Sequence, residues 1–224
     1  MSMEYSVIIP VKDGMEYIDY AIESILKQSF HPAKIIVVDD HSEDGTFDYI
    51  SSNYKDICLV SAPNHGQQAA LNFGLEYVES DFISFLDADD YWVSDKQMTQ
   101  IDEFRRRNDA DVICSGTRNF LNSNDDKRNF TQNTKDFHES RQFSACTFKT
   151  EVLTQKFPLI QEVGHFQWQI SWWANAVDNN LNFVQTGKIH LNRRIHNNNS
   201  WSGDSAIGNK QLIDFIRSHK SRNQ

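Results

Sequence analysis

Apolar and polar positions along the first half of the chain fall into a repeating succession of strand, turn and helix. Tyr5 to Val11 is an apolar run that predicts a strand, and Glu16 to Gln28 follows with Ile18, Ala21, Ile22, Ile25 and Leu26 on one helical face. Lys34 to Val38 predicts a second strand that ends in Asp39-Asp40. The polar turn His41 to Gly45 leads to a helix through Tyr54, and Ile57 to Ser61 predicts a third strand. This βαβαβ run implies parallel strands joined by right-handed crossovers. After the turn Pro63-Asn64-His65-Gly66, Gln67 to Val78 predicts a helix with Ala70, Leu71, Gly74, Leu75 and Val78 toward the sheet. Phe82 to Leu86 predicts a fourth strand. A helix over Asp95 to Asn108 and a strand over Asp111 to Ser115 complete this half.

The second half is patterned less regularly. Thr117 to Glu139 is polar and interrupted by Asn and Asp, which predicts loops or short hairpins. Order resumes at Phe143 to Phe148, followed by a helical pattern over Phe166 to Asn179 and a strand over Leu181 to Thr186. Leu212, Ile213, Phe215 and Ile216 predict an amphipathic closing helix over Asn209 to His219. With no internal repeat and no low-complexity linker, the expectation is one α/β domain with a mostly parallel central sheet flanked by helices.

Composition narrows the partners. The 224 residues are 39% hydrophobic and 12% aromatic, enough for a substantial core. A net charge of −9 argues against a nucleic-acid surface, which needs a basic stripe to track phosphates. An anionic ligand would need a cation or local backbone amides. Met1 to Glu4 lacks the basic start and apolar stretch of a secretory signal, and no apolar run approaches the roughly 20 residues of a spanning helix. The expectation is a cytoplasmic chain with at most peripheral contact at the inner face of a membrane. Cys58, Cys114 and Cys146 are odd in number, widely spaced and set in apolar surroundings, which reads as small core residues rather than disulfides or a zinc site.

The densest chemistry lies where Phe82 to Leu86 runs into Asp87, Asp89 and Asp90. Carboxylates crowded at a strand end repel one another, and a divalent cation held by oxygen ligands offsets that repulsion. Asp also favours turns and helix caps, so the residues alone leave a metal platform and a simple turn both open. For Asp39-Asp40 the alternatives are an acid set in the ligand crevice at a parallel-strand end and a helix-entry turn.

Four blocks in order resemble the family 2 glycosyltransferases. They are Val7-Ile8-Ile9-Pro10-Val11-Lys12-Asp13-Gly14, Ile35 to Thr46 with its Asp39-Asp40-His41-Ser42-Glu43-Asp44-Gly45 core, Asn64 to Leu75, and Phe85-Leu86-Asp87-Ala88-Asp89-Asp90. The resemblance implies a GT-A fold, with residues 1–115 as the nucleotide-sugar donor half and 116–224 as the acceptor half. It implies that Pro10, Val11 and Asp13 wrap the nucleotide base and that Asp39 accepts the uracil imide N–H. Asn72 caps its helix or contacts the donor. Asp89 is the principal ligand for Mn2+ or Mg2+, and Asp87 lies at the donor ribose or sugar, touching the metal through water. The segment Arg193-Arg194-Ile195-His196 resembles the family's Arg-x-His segment, which implies His196 as a further metal ligand and Arg194 as a partner for the leaving diphosphate.

Two positions depart from the family pattern. Where members carry an acidic pair that supplies the general base, this chain has Gly164-His165, leaving His165 or Glu162 to take the proton. Leu71 stands where relatives often carry a phosphate-contacting Arg, and it reads instead as a packing residue. Trp168, Trp172 and Trp173 read as core, Trp92 as packing beneath the metal loop, and Trp201 as a lid or interface residue.

The reading is an inverting, metal-dependent glycosyltransferase that moves a sugar from a UDP-sugar to a glycan or glycolipid acceptor, in polysaccharide or glycoconjugate synthesis, with homo-oligomerisation compatible. A non-catalytic nucleotide-sugar-binding or assembly module is the alternative. A sugar nucleotidyltransferase is a weaker one, because Pro10 to Gly14 lacks a Gly-rich, basic phosphate loop.

Overall fold

The computed structural model describes residues 3–121, 136–137, 139–159 and 168–196. The strands are β1 (Tyr5–Val11), β2 (Lys34–Asp39), β3 (Cys58–Ser61), β4 (Phe82–Phe85), β5 (Tyr91–Trp92), β6 (Val112–Leu121), β7 (Asp136–Phe137), β8 (Cys146–Lys149) and β9 (Phe183–Ile195). The α-helices are α1 (Ile18–Leu26), α2 (Thr46–Asn53), α3 (Gln67–Leu75), α4 (Lys96–Arg106) and α5 (Trp168–Asp178).

One sheet carries the strands in the order β3-β2-β1-β4-β8-β6-β9-β5, with β7 paired to β6. The pairs β3–β2, β2–β1 and β1–β4 are parallel, as is β6–β9, whereas β8 lies antiparallel between β4 and β6. The chain steps outward from β1 to β3 and then returns to the other side of β1 at β4. Ligands of open α/β sheets bind at such a reversal, outside the carboxyl ends of the strands. The acids after β2 and β4 therefore share one crevice.

All seven residues of β1 are buried, which explains its continuous apolar sequence. Alternate side chains serve two cores. Val7, Ile9 and Val11 join Ile18, Ile22 and Ile25 of α1 and Ile101 and Phe104 of α4. Ile8 faces the other way, with Ile36, Val38, Ala70, Leu71 and Phe85, and with the aromatic group of Phe143, Phe148, Trp168, Trp172 and Trp173. Helix α3 approaches β1 so closely that a Cβ on Gly74 would sit 2.8 Å from Ile8 Cγ2. Leu71 is buried in this interface, and the three tryptophans of α5 are core, as expected.

The structure corrects several boundaries. The strand expected over Asp111 to Ser115 continues to Leu121, and β7 pairs with it as a short antiparallel hairpin inside the polar stretch. The strand expected over Leu181 to Thr186 runs on to Ile195, because β6 and β5 both pair with it and satisfy its backbone despite its polar sequence. β5 itself carried no period to betray it. Helix α4 buries Lys96, Gln97 and Gln100 beside Ile101 and Phe104, so part of its inward stripe is polar. Those groups are satisfied internally: Gln97 Nε2 donates to Ser84 Oγ (2.8 Å), Gln100 Nε2 to Ser115 Oγ (2.8 Å) and Lys96 Nζ to Gln100 Oε1 (2.9 Å). Cys114 and Cys146 are buried cross-strand neighbours and remain thiols. The closing helix expected over Asn209 to His219, and Trp201, lie outside the described residues.

Candidate active site

β2 ends at Asp39, in register with Val11 of β1, while Pro10 pairs with Val38. Pro10 and Val11 are thus buried beside the acid they are expected to assist. Asp39 is 4% exposed. Its Oδ2 accepts the Ser42 amide at 3.1 Å, and its Oδ1 is buried with no partner among the described residues. A carboxylate oxygen held dry without a donor costs about 1–3 kcal/mol or more, so it marks a position built to receive one.

Asp13 is committed differently. Its backbone has φ 50°, its amide donates to Ser42 Oγ (2.9 Å), and its Oδ1 accepts the Glu43 amide (2.7 Å). The Met15 and Gly14 amides likewise donate to Asp44 Oδ2 and Thr46 Oγ1. The loops after β1 and β2 are therefore stitched together, and Asp13 fixes the wall around Asp39.

The second acidic group follows β4. Asp87 Oδ1 accepts Gln67 Nε2 (2.9 Å), and its amide donates to Ser144 Oγ (3.2 Å). Burial, reinforced by the charge of Asp89, pushes the Asp87 carboxyl up to about 6. Asp90 is buried and accepts the Arg194 amide at 2.8 Å. Burial and the charges of Asp89 and Asp87 raise its pKa well above the carboxylate range. Trp92 anchors the loop from below, its Nε1 donating to Ser144 O at 2.7 Å.

Pairing of β5 with β9 matches Tyr91 with Asn192 and Trp92 with Leu191. This ladder carries the end of β9 back over the acids, and His196 Nε2 comes within 3.0 Å of Asp89 Oδ2. The expected meeting of these two residues across a long stretch of chain is thereby realised. The His196 ring lies on Tyr17, with centroids 4.9 Å apart.

Arg194 is buried. Its Nε donates to Asp89 O (3.0 Å), and its guanidinium rests on Tyr17, Tyr20 and Phe120 at 4.7 to 5.2 Å. The positive charge that favours ionisation of both Asp87 and Asp90 comes from the neighbouring Arg193, which sequence reasoning did not select. Gln67 was missed too, although it sits inside the Asn64 to Leu75 block and a long amide at a helix start is a plain hydrogen-bond donor. Asn72 Nδ2 donates to Leu159 O (3.0 Å), joining α3 to the second half. His165 and Glu162 lie outside the described residues.

A third group was read only as turn. Asp40 Oδ1 lies 3.3 Å from His41 Nδ1 and 3.4 Å from His65 Nδ1, on the loops after β2 and β3.

A family model described as glycosyl transferase family 2 matches residues 6–168. An uncharacterized glycosyltransferase of Rickettsia typhi is 38% identical over 109 residues, covering 48% of this chain and 34% of its own length. The UDP-Glc:alpha-D-GlcNAc-diphosphoundecaprenol beta-1,3-glucosyltransferase WfaP of Escherichia coli is 36% identical over 98 residues, covering 43% of this chain and 39% of its own. The chain thus spans well under half the length of these curated relatives. Among solved structures, residues 1–349 of Staphylococcus aureus TarS in complex with UDP superpose with a TM-score of 0.65 at 18% identity, covering 87% of this chain and 61% of that one. The UDP-GlcNAc complex of the same protein gives 0.64 at 19% identity, covering 89% and 61%. The fold is that of these neighbours: an α/β architecture with a mostly parallel sheet flanked by helices.

Proposed function

The chain belongs to glycosyl transferase family 2, and from that premise we propose that it moves a sugar from a uridine-diphosphate donor to an acceptor hydroxyl, with inversion at the anomeric carbon. The observation that carries the reading is Asp39 Oδ1, a buried carboxylate oxygen at the end of β2 that lacks a donor among the described residues. Uracil presents an imide N–H that would complete it, with Pro10, Val11 and the Asp13-bound loop forming the wall around the base. The likeness to TarS structures holding UDP and UDP-GlcNAc supports the same donor class.

The residues after β4 fit a divalent metal. Burial and mutual repulsion raise the pKa of both Asp87 and Asp90, an electrostatic deficit that a cation would offset. Asp89, with Asp87 and His196, would hold Mn2+ or Mg2+, hard cations that accept carboxylate and phosphate oxygens. Such an ion supplies Lewis-acid stabilisation of the charge that builds on the departing diphosphate. Arg193 and Arg194 add positive charge on the same side of the crevice.

The acceptor hydroxyl attacks the anomeric carbon opposite the leaving diphosphate, its oxygen forming the new glycosidic bond as the bond to the diphosphate oxygen breaks. His165 or Glu162 takes the hydroxyl proton. Residues 1–115 serve the donor and 116–224 the acceptor, a glycan or glycolipid. Among the described residues no helix is long and apolar enough to cross a membrane.

Calorimetric titration with UDP, with and without Mn2+, tests the reading. The expected result is Mn2+-dependent UDP binding that disappears in Asp89→Ala. Absence of UDP binding under every metal condition would overturn it.

A further inference from the structure

Asp40, His41 and His65 occupy a place that the transfer reading leaves unused. Among the described residues they are the one group of three His, Cys, Asp or Glu side chains whose ligand atoms all lie within 4.8 Å of one another. We infer that they form a second metal site, selective for a borderline ion of the Zn2+ class, which clasps the loops after β2 and β3 beside the nucleotide crevice.

The distances carry the argument. In a tetrahedral site with bonds of about 2.0–2.1 Å, neighbouring ligand atoms are about 3.3–3.4 Å apart. Asp40 Oδ1 lies 3.3 Å from His41 Nδ1 and 3.4 Å from His65 Nδ1. Both imidazoles present the same nitrogen to the same oxygen, and their centroids are 4.0 Å apart. The carboxylate is oriented from behind, since Asp40 Oδ2 accepts the Gly66 amide at 2.8 Å and leaves Oδ1 toward the rings. His41 takes a left-handed backbone, φ 59°, that a side chain bearing a Cβ adopts rarely. That conformation points its ring at His65.

Ligand chemistry separates this site from the acids after β4. Two imidazoles and one carboxylate suit Zn2+, Cu2+ or Ni2+, whereas Mg2+ seeks oxygen ligands. The Asp40 side chain is 9% exposed, but those of His41 and His65 are 42% and 71% exposed, so an ion can reach the site and keep an open coordination position. Binding displaces any proton on the two Nδ1 atoms and replaces the His41–Asp40 hydrogen bond and the His65–Asp40 contact with metal bonds.

The test uses Co2+ as a visible-absorbing stand-in for Zn2+, followed by Zn2+ competition, on the whole chain. Wild type is expected to develop d–d absorption that Zn2+ abolishes. His65→Ala and His41→Asn should each weaken binding by at least the roughly 10–100-fold that even an outer-sphere substitution costs. Asn is chosen at position 41 because it tolerates the left-handed backbone. Asp89→Ala, whatever it does to divalent binding at the donor site, should retain the His65-dependent Co2+ absorption, which separates the two sites. Unchanged affinity in both histidine variants, or loss of the signal in Asp89→Ala, would overturn the inference. Should His41→Asn unfold, His65→Ala decides alone, because that side chain is outside the core.

Discussion

Replacing Asp39 with Asn tests the nucleotide site at the level of a single atom. The two carboxylate oxygens have different roles: Oδ2 accepts the Ser42 amide at 3.1 Å, and Oδ1 is buried without a donor among the described residues. An amide is nearly isosteric, but it carries only one acceptor. With its oxygen toward Ser42, its NH2 meets the uracil imide N–H; turned over, its NH2 meets the Ser42 N–H. Either orientation sets donor against donor. A buried hydrogen bond to a charged group contributes about 1.5–3 kcal/mol, so Asp39→Asn should raise the Kd for UDP about 10- to 100-fold. The unliganded protein should lose little or no stability, because the change removes a buried charge while the NH2 is no worse paired than the oxygen it replaces. CDP is the informative control. Cytosine has an acceptor where uracil has the imide N–H, so the new amide can donate to it and the preference for UDP over CDP should narrow or reverse. Titration calorimetry with both nucleotides, alongside thermal denaturation of the free proteins, reads all three quantities. A UDP affinity within twofold of wild type at unchanged stability would refute the reasoning that Oδ1 receives the base.

Two further predictions concern the scaffold. Burial drives the pKa of Lys96 down to about 7, so between pH 7 and its ordinary range the native state binds fewer protons than the unfolded chain, and stability rises with pH there by up to about 1.4 kcal/mol per unit. Lys96→Met should be more stable than wild type near neutrality and should lose this rise, since Gln100 Oε1 keeps a donor in Thr147; denaturant melts from pH 7 to 9 check it, and a pH-independent difference between the two proteins would count against it. Gly74→Ala places a methyl 2.8 Å from Ile8 Cγ2 and 3.1 Å from Val38 Cγ2, and such overpacking should cost about 1–3 kcal/mol in the same melts, with UDP affinity unaffected once folded.

The sequence by itself determined most of what is local. The βαβαβ run, the bounds of β1 to β4 within a few residues, the inward faces of α1 and α3 and the core role of the tryptophans all follow from period, because burial on one or both faces of an element writes its period into the chain; Leu26, expected on the inward face of α1, is instead exposed at the helix's last position. The placement of Asp39, Asp87 and Asp89 at strand ends was legible for the same reason. Pairing between distant segments has no such signature, and it decided the rest. β5 is two residues long, and the polar end of β9 is a strand because β6 and β5 satisfy its backbone. That ladder, and nothing periodic, brings His196 to Asp89 and cages Arg194 among aromatics while Arg193 carries charge toward the acids. The polar stripe of α4 is buried because Ser84, Ser115 and Thr147 answer it from three other strands. Asp40, His41 and His65 read as two separate turns until parallel β2 and β3 set their ends side by side. A side chain's function in a crevice depends on what faces it across space, and only the tertiary structure supplies that neighbour.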